Sequence, residues 1–147
     1  MAGKGTFTSV LADLEKDPTN VDLLFDVAER YYARAKFDEA IDHYEEVIKY
    51  DPQNEKGKAD QAIHSLALTY LKDKKYEEAV TQFQRLIDTF PKSKLVPDAY
   101  SYKGYAYQKW GKKDEAIAAY ESFIQAFPND EEVDWAKEQI AKLKGVK

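Results

Sequence analysis

The sequence predicts an all-α fold, a stack of antiparallel helix pairs closed by a single capping helix. Three observations carry this prediction. A block of helical character recurs three times: Phe37-Asp38-Glu39-Ala40-Ile41-Asp42-His43-Tyr44-Glu45-Glu46-Val47-Ile48, then the stretch from Tyr76 to Ile87, then that from Lys113 to Ile124. Apolar residues within the block fall at i, i+1, i+4, i+7 and i+8 (Ala40, Ile41, Tyr44, Val47, Ile48), which is one face of a 3.6-residue period. Finally, a proline stands 12 residues after the block's alanine in every copy, at Pro52, Pro91 and Pro128. Such spacing is the mark of a repeat array.

Taken in order, residues 7–17 predict a short helix with Val10, Leu11 and Leu14 on one face. Lys16-Asp17-Pro18-Thr19-Asn20 mirrors Tyr50-Asp51-Pro52-Gln53-Asn54, so this segment matches the second helix of an incomplete repeat. Three full repeats follow at 20–53, 58–92 and 96–129. Their first helices carry the stripes Leu24, Val27, Ala28, Tyr31, then Ile63, Leu66, Ala67, Tyr70, then Tyr100, Lys103, Gly104, Tyr107. A small residue recurs at one position in each stripe (Ala28, Ala67, Gly104) and again in each second helix (Ala40, Ala79, Ala116). Small side chains let paired helices approach closely, and aromatic rings fill the space beside that contact. Two acids open the first turn of the first two blocks, and Asp114 and Glu115 follow Lys113 in the third, where the helix dipole favours negative charge. The proline then ends the helix. Residues 131–144 close the array with a stripe of Val133, Ala136, Ile140 and Leu143, lysines occupying the other faces.

These positions resemble the tetratricopeptide repeat, which has a large residue, Leu, Gly or Ala, and Tyr in its first helix, then Ala, an aromatic, a mid-sized apolar residue and Pro. The resemblance covers about residues 20–130, and Lys103 is the departure, standing where leucine is usual. At that position the lysine is expected either to loosen its helix or to mark a solvent opening. The family implies a right-handed superhelical solenoid, a single domain over 1–147, in which each helix pair covers the apolar face left by the previous one. Prolines at 34-, 39- and 37-residue intervals, with Phe90-Pro91-Lys92-Ser93 and Val96-Pro97-Asp98-Ala99-Tyr100, resemble bacterial members associated with the Tol–Pal system and with outer-membrane assembly lipoproteins. That resemblance implies a prokaryotic scaffold, often one part of a larger protein.

Composition excludes several function classes. A net charge of −5 and a pI of about 5.1 oppose non-specific attraction to nucleic acid or an anionic membrane. With no cysteine there is no disulfide, thiolate metal site or cysteine nucleophile. No apolar run reaches the ~18–20 residues of a membrane span, and the first 17 residues show no apolar signal core. Compartment stays open between bacterial cytoplasm and periplasm. Charge is uneven: residues 38–55 carry a net −6 and residues 92–113 a net +5. These are either solvated helix faces or a head-to-tail contact between copies.

No catalytic constellation emerges, and neither a cofactor nor a metal is expected. His43 reads as a surface residue. His64 has Asp60 one turn before it, but Ser65 points about 100° away, so no triad assembles. The Asp51–Gly57 stretch lacks the ligand pattern of a calcium loop. Gly3-Lys4-Gly5-Thr6 lacks the upstream glycine of a phosphate loop.

On each first helix, positions 2, 5, 9 and 12 lie about 200° around the wheel from the core stripe. In tetratricopeptide repeats that second stripe lines the concave groove. The resemblance thus gives Asp22, Phe25, Glu29 and Tyr32, then Gln61, His64, Leu68 and Leu71, then Asp98, Ser101, Tyr105 and Gln108. Tyr32 and Leu71 could equally pack on neighbouring helices, and Trp135 could extend the groove or cap it. Apolar Phe25, Leu68 and Tyr105 rimmed by Asp22, Glu29 and Asp98 suit a protein or peptide partner with basic and apolar side chains. Family members that grip a C-terminal carboxylate use Lys, Asn and Arg at groove positions. Phe25 and Glu29 oppose that use here. The expected function is a protein-interaction scaffold, neither enzyme nor nucleic-acid binder nor membrane-inserted. Homo-oligomeric self-assembly, or service as a fragment of a multidomain protein, are the alternatives.

Overall fold

A computed structural model describes residues 5–145 of the chain; the ends of the 1–147 span and the Gly3-Lys4 part of the glycine tetrad lie outside the described residues. The described residues form eight α-helices and no strand: α1 (Phe7–Lys16), α2 (Val21–Ala33), α3 (Phe37–Tyr50), α4 (Ala59–Lys72), α5 (Tyr76–Thr89), α6 (Val96–Trp110), α7 (Lys113–Ala126) and α8 (Val133–Lys144). They fall into two compact units that divide between Asp73 and Lys74, at the turn joining α4 to α5.

Helix starts follow two devices. Thr6 and Asn20 cap α1 and α2 through their side chains, accepting from the amides of Ser9 (3.1 Å) and Leu23 (3.0 Å). By contrast α3, α5 and α7 begin without a side-chain cap and place Asp38-Glu39, Glu77-Glu78 and Asp114-Glu115 in their first turns. Each ends two residues before a proline, at Tyr50, Thr89 and Ala126. Pro97 sits in the first turn of α6, where its missing amide costs nothing.

In the first unit α2 packs between α1 and α3, and α3 packs on α4. Its core joins Val21, Leu24, Ala28, Ala40, Tyr44, Val47, Ala62 and Leu66, all buried. In the second unit α6 packs between α5 and α7, and α7 on α8. Ala116, Tyr120, Phe123, Val133 and Ala136 form a core cluster there, flanked by Tyr100, Tyr107, Ile140 and Leu143. The small residues of the repeat, Ala28, Ala40, Ala67, Ala79 and Ala116, are fully buried. Gly104 shows why size is restricted: a Cβ there would meet the Tyr120 ring at 2.7 Å.

At Lys103 α6 stays helical, and the lysine lines a small open cleft of about 220 Å³ with Gln84, Tyr100 and Ser122, so the helix is not loosened and the solvent opening is present. The side chain is half-buried, and its Nζ donates to Gln84 Oε1 on α5 at 2.7 Å. Burial holds its pKa below the usual lysine value, partly countered by Asp88. His43 is also half-buried, its Nδ1 donating to the Glu39 carbonyl (2.8 Å) and its ring 5.3 Å from Tyr31. Asp51 is buried and turned inward, accepting from the amides of Lys56 (3.1 Å) and Lys58 (3.4 Å), which organises the loop into α4.

Candidate functional site

Of the groove positions, Asp22, Phe25, Glu29, Tyr32, Gln61, His64 and Leu68 belong to the first unit, on α2 and α4. Phe25 stands edge-on to Tyr44 (5.9 Å between ring centroids), and the Lys58 ammonium lies 5.1 Å over the Phe25 ring. Beside it the Glu29 carboxyl faces the Tyr44 hydroxyl and Ser65, where α2 meets α3 and α4. Glu29 is exposed as a residue, but desolvation of its carboxyl raises its pKa above the ordinary value; the neighbouring Tyr44 and Ser65 hydroxyls pull the other way. Tyr44 is pushed well above the usual phenol range, first by burial and then by the Glu29 charge. Tyr32 packs against the core and lies 6.1 Å from Phe37. Gln61 donates back to the Gly57 carbonyl (2.6 Å), while His64 and Leu68 are half-buried on α4.

In the second unit Asp98, Ser101 and Tyr105 converge with Tyr102 on one side of α6. Glu132 and Trp135, from the start of α8, complete a cleft of about 360 Å³. Tyr102 is stacked on Phe83 (5.6 Å, 7° between planes) and stands edge-on to Tyr105 (6.3 Å). Trp135 stands edge-on to buried Tyr120 (5.5 Å), so it lines the cleft and caps the core at once. Lys109 holds its ammonium 6.0 Å from the Tyr105 ring. Gln108 serves the scaffold: it accepts from the Tyr120 hydroxyl (2.6 Å) and donates to Gln139 (3.1 Å), linking α6, α7 and α8. Sequence reasoning missed Tyr102 and Glu132 as lining residues. Four acids in five residues, Asp130, Glu131, Glu132 and Asp134, were the signal that could have found the second.

A larger, shallower depression of about 850 Å³ lies between α1 and α3, over Leu11, Leu14 and Leu24, with Asp42 and Glu46 at its rim. No predicted groove residue lines it. Among the described residues no cluster of His, Asp and Glu could hold a metal, and no helix is long and apolar enough to cross a membrane.

The chain resembles many solved structures. It matches MamA at 23% identity over 95% of this chain and 77% of that one (TM-score 0.74). The first tetratricopeptide domain of Spaghetti (RPAP3), solved with the HSP90 peptide SRMEEVD, matches at 26% identity over 85% and 90% (TM-score 0.65). A tetratricopeptide repeat protein from Parabacteroides merdae matches at 17% identity over 95% and 51% (TM-score 0.70). No curated protein sequence matches. These likenesses show the helix-pair architecture, and the RPAP3 domain with its peptide fits a protein-interaction scaffold in general terms. A tetratricopeptide-repeat model matches residues 21–54, and the outer membrane lipoprotein model YfiO matches residues 56–137, more than half of the chain. The chain therefore belongs to the YfiO outer membrane lipoprotein family, built of tetratricopeptide repeats.

Proposed function

We propose that this protein binds peptide or protein segments on the first-helix faces of its two units, and that its partners offer basic and apolar side chains. The second-unit cleft carries the reading. Three side chains expected from the helical wheel, Asp98, Ser101 and Tyr105, line one concavity with two further aromatic rings. Convergent aromatics with a few polar groups are the ordinary make-up of a recognition pocket. Phe25 and Glu29 offer a smaller counterpart on the first unit. The RPAP3 domain holds the acidic peptide SRMEEVD; Glu29, Asp98 and Glu132 favour the opposite charge here.

The test is selection from a displayed random-peptide library, with Phe25→Ala and Tyr105→Glu as controls. Enriched sequences should be rich in Lys or Arg with apolar neighbours, and their affinity should fall at least tenfold in the variants. Full binding by a double variant of unchanged helicity would overturn the assignment.

Self-assembly is the second reading. Asp38, Glu39 and Asp42 are exposed on α3, as are Lys92, Lys94, Lys112 and Lys113 in the second unit. Copies joined through these patches would dissociate as salt screens them.

A further inference from the structure

We propose that the second-unit cleft is an arginine socket: it seats a guanidinium from the bound segment against Tyr105, Tyr102 and Trp135, and Asp98 and Glu132 balance its charge. The inference rests on the peptide-binding reading and names the side chain that anchors there.

Several observations converge. Three of the six lining residues are aromatic and two are acids, with Ser101 the remaining polar group. Cations are attracted to the faces of such rings, more strongly as water is excluded. Lys109 already sits over Tyr105, and on the first unit Lys58 sits over Phe25 at 5.1 Å, so an aromatic groove residue on each unit hosts an ammonium of the chain itself. Glu132 belongs to an acidic run: Asp130, Glu131, Glu132 and Asp134 fall within five residues, with no basic residue among them. At about 360 Å³ the cleft is at the low end of ligand pockets, roughly 300–1,000 Å³, a scale for one long side chain and not for a folded element.

Arginine fits better than lysine. Its guanidinium is planar, stacks on aromatic faces, pairs with carboxylates through a fork of donors and sheds water more readily.

The two tryptophans make a direct test possible. Trp110 lies stacked on Tyr107, away from the cleft lining, so Trp110→Phe leaves Trp135 as sole reporter. The full chain carrying that change is titrated with N-acetylarginine amide and with its neutral counterpart, N-acetylcitrulline amide. Trp135 emission should respond saturably to arginine and at least fivefold more weakly to citrulline. The response should fall at least fivefold in Tyr105→Leu and in the Asp98→Asn, Glu132→Gln double variant, with helicity retained by circular dichroism. Equal response to both compounds, no saturable response, or an undiminished response in the variants would each overturn the socket. Library peptides that bind without needing arginine would also overturn it, yet leave the peptide-binding reading standing. Failure to select any peptide, or full binding by the Phe25→Ala, Tyr105→Glu double variant, counts against that reading itself.

Discussion

Gly104 shows how one residue can set a helix spacing. Because the Tyr120 ring lies 2.7 Å from where a Cβ would be, Gly104→Ala must push α6 and α7 apart. Such overpacking should destabilise the chain by about 1–3 kcal/mol, measurable by urea denaturation. Lys103→Leu should act in the opposite sense. It removes a half-buried cation whose charged form burial disfavours, and restores the leucine usual in the repeat, so a gain of roughly 1 kcal/mol is expected by the same measurement. Glu29 gives a pH signature. Its folded pKa is raised above the ordinary 4.5, so the folded state binds protons more readily than the unfolded one, and stability falls as pH rises through that range. Glu29→Gln should therefore be the more stable protein at pH 7, an advantage that thermal melts should show fading below about pH 4.5. Some of this was legible in advance: the glycine's place in the repeat marked it for a close approach, and Glu29 was placed by the helical wheel. Glu132 was not, because a wheel drawn on one helix cannot say what the next helix brings to its side; Tyr102, on α6 itself, fell just outside the stripe taken from the repeat.

Turns between paired helices repeat as closely as the helices do. Ala35, Lys74 and Gly111 each stand two residues before the start of α3, α5 and α7, and all three adopt left-handed backbone, with φ of 58°, 61° and 84°. In the first and third turns the amide of the residue that follows reaches back five residues, from Lys36 to Tyr31 and from Lys112 to Tyr107, both at 2.9 Å. Only glycine adopts this conformation without cost. Ala35→Gly should therefore stabilise the turn by up to about 1 kcal/mol, and Gly111→Ala should cost a similar amount, both readable as shifts in melting temperature. Helix existence was legible because apolar period, paired acids and closing prolines all agreed. The shared turn conformation was hidden, since two of its three residues are not glycine. The partner of Lys103 was hidden for a related reason: Gln84 lies on a different helix, 19 residues earlier.

At the scale of the whole chain, the repeat predicted the fold and the family, because repetition multiplies a weak local signal into a specific one. Which exposed face works is a separate question, since Phe25 and Tyr105 look like any other apolar residues until their neighbours are known. Charge adds a prediction at this scale. If the first-helix faces are the working surface, light scattering behind size exclusion should give a monomer at both low and high salt. A salt-sensitive oligomer would move the weight to the charged patches on α3 and the second unit. The most direct test of the central claim is backbone-amide NMR of the ¹⁵N-labelled chain, titrated with a basic, apolar peptide from the library. Shifts should concentrate at Asp98, Ser101, Tyr102, Tyr105 and Trp135, with a second set at Phe25 and Glu29. Shifts confined to the depression between α1 and α3, or spread evenly over the acidic surface, would contradict the account.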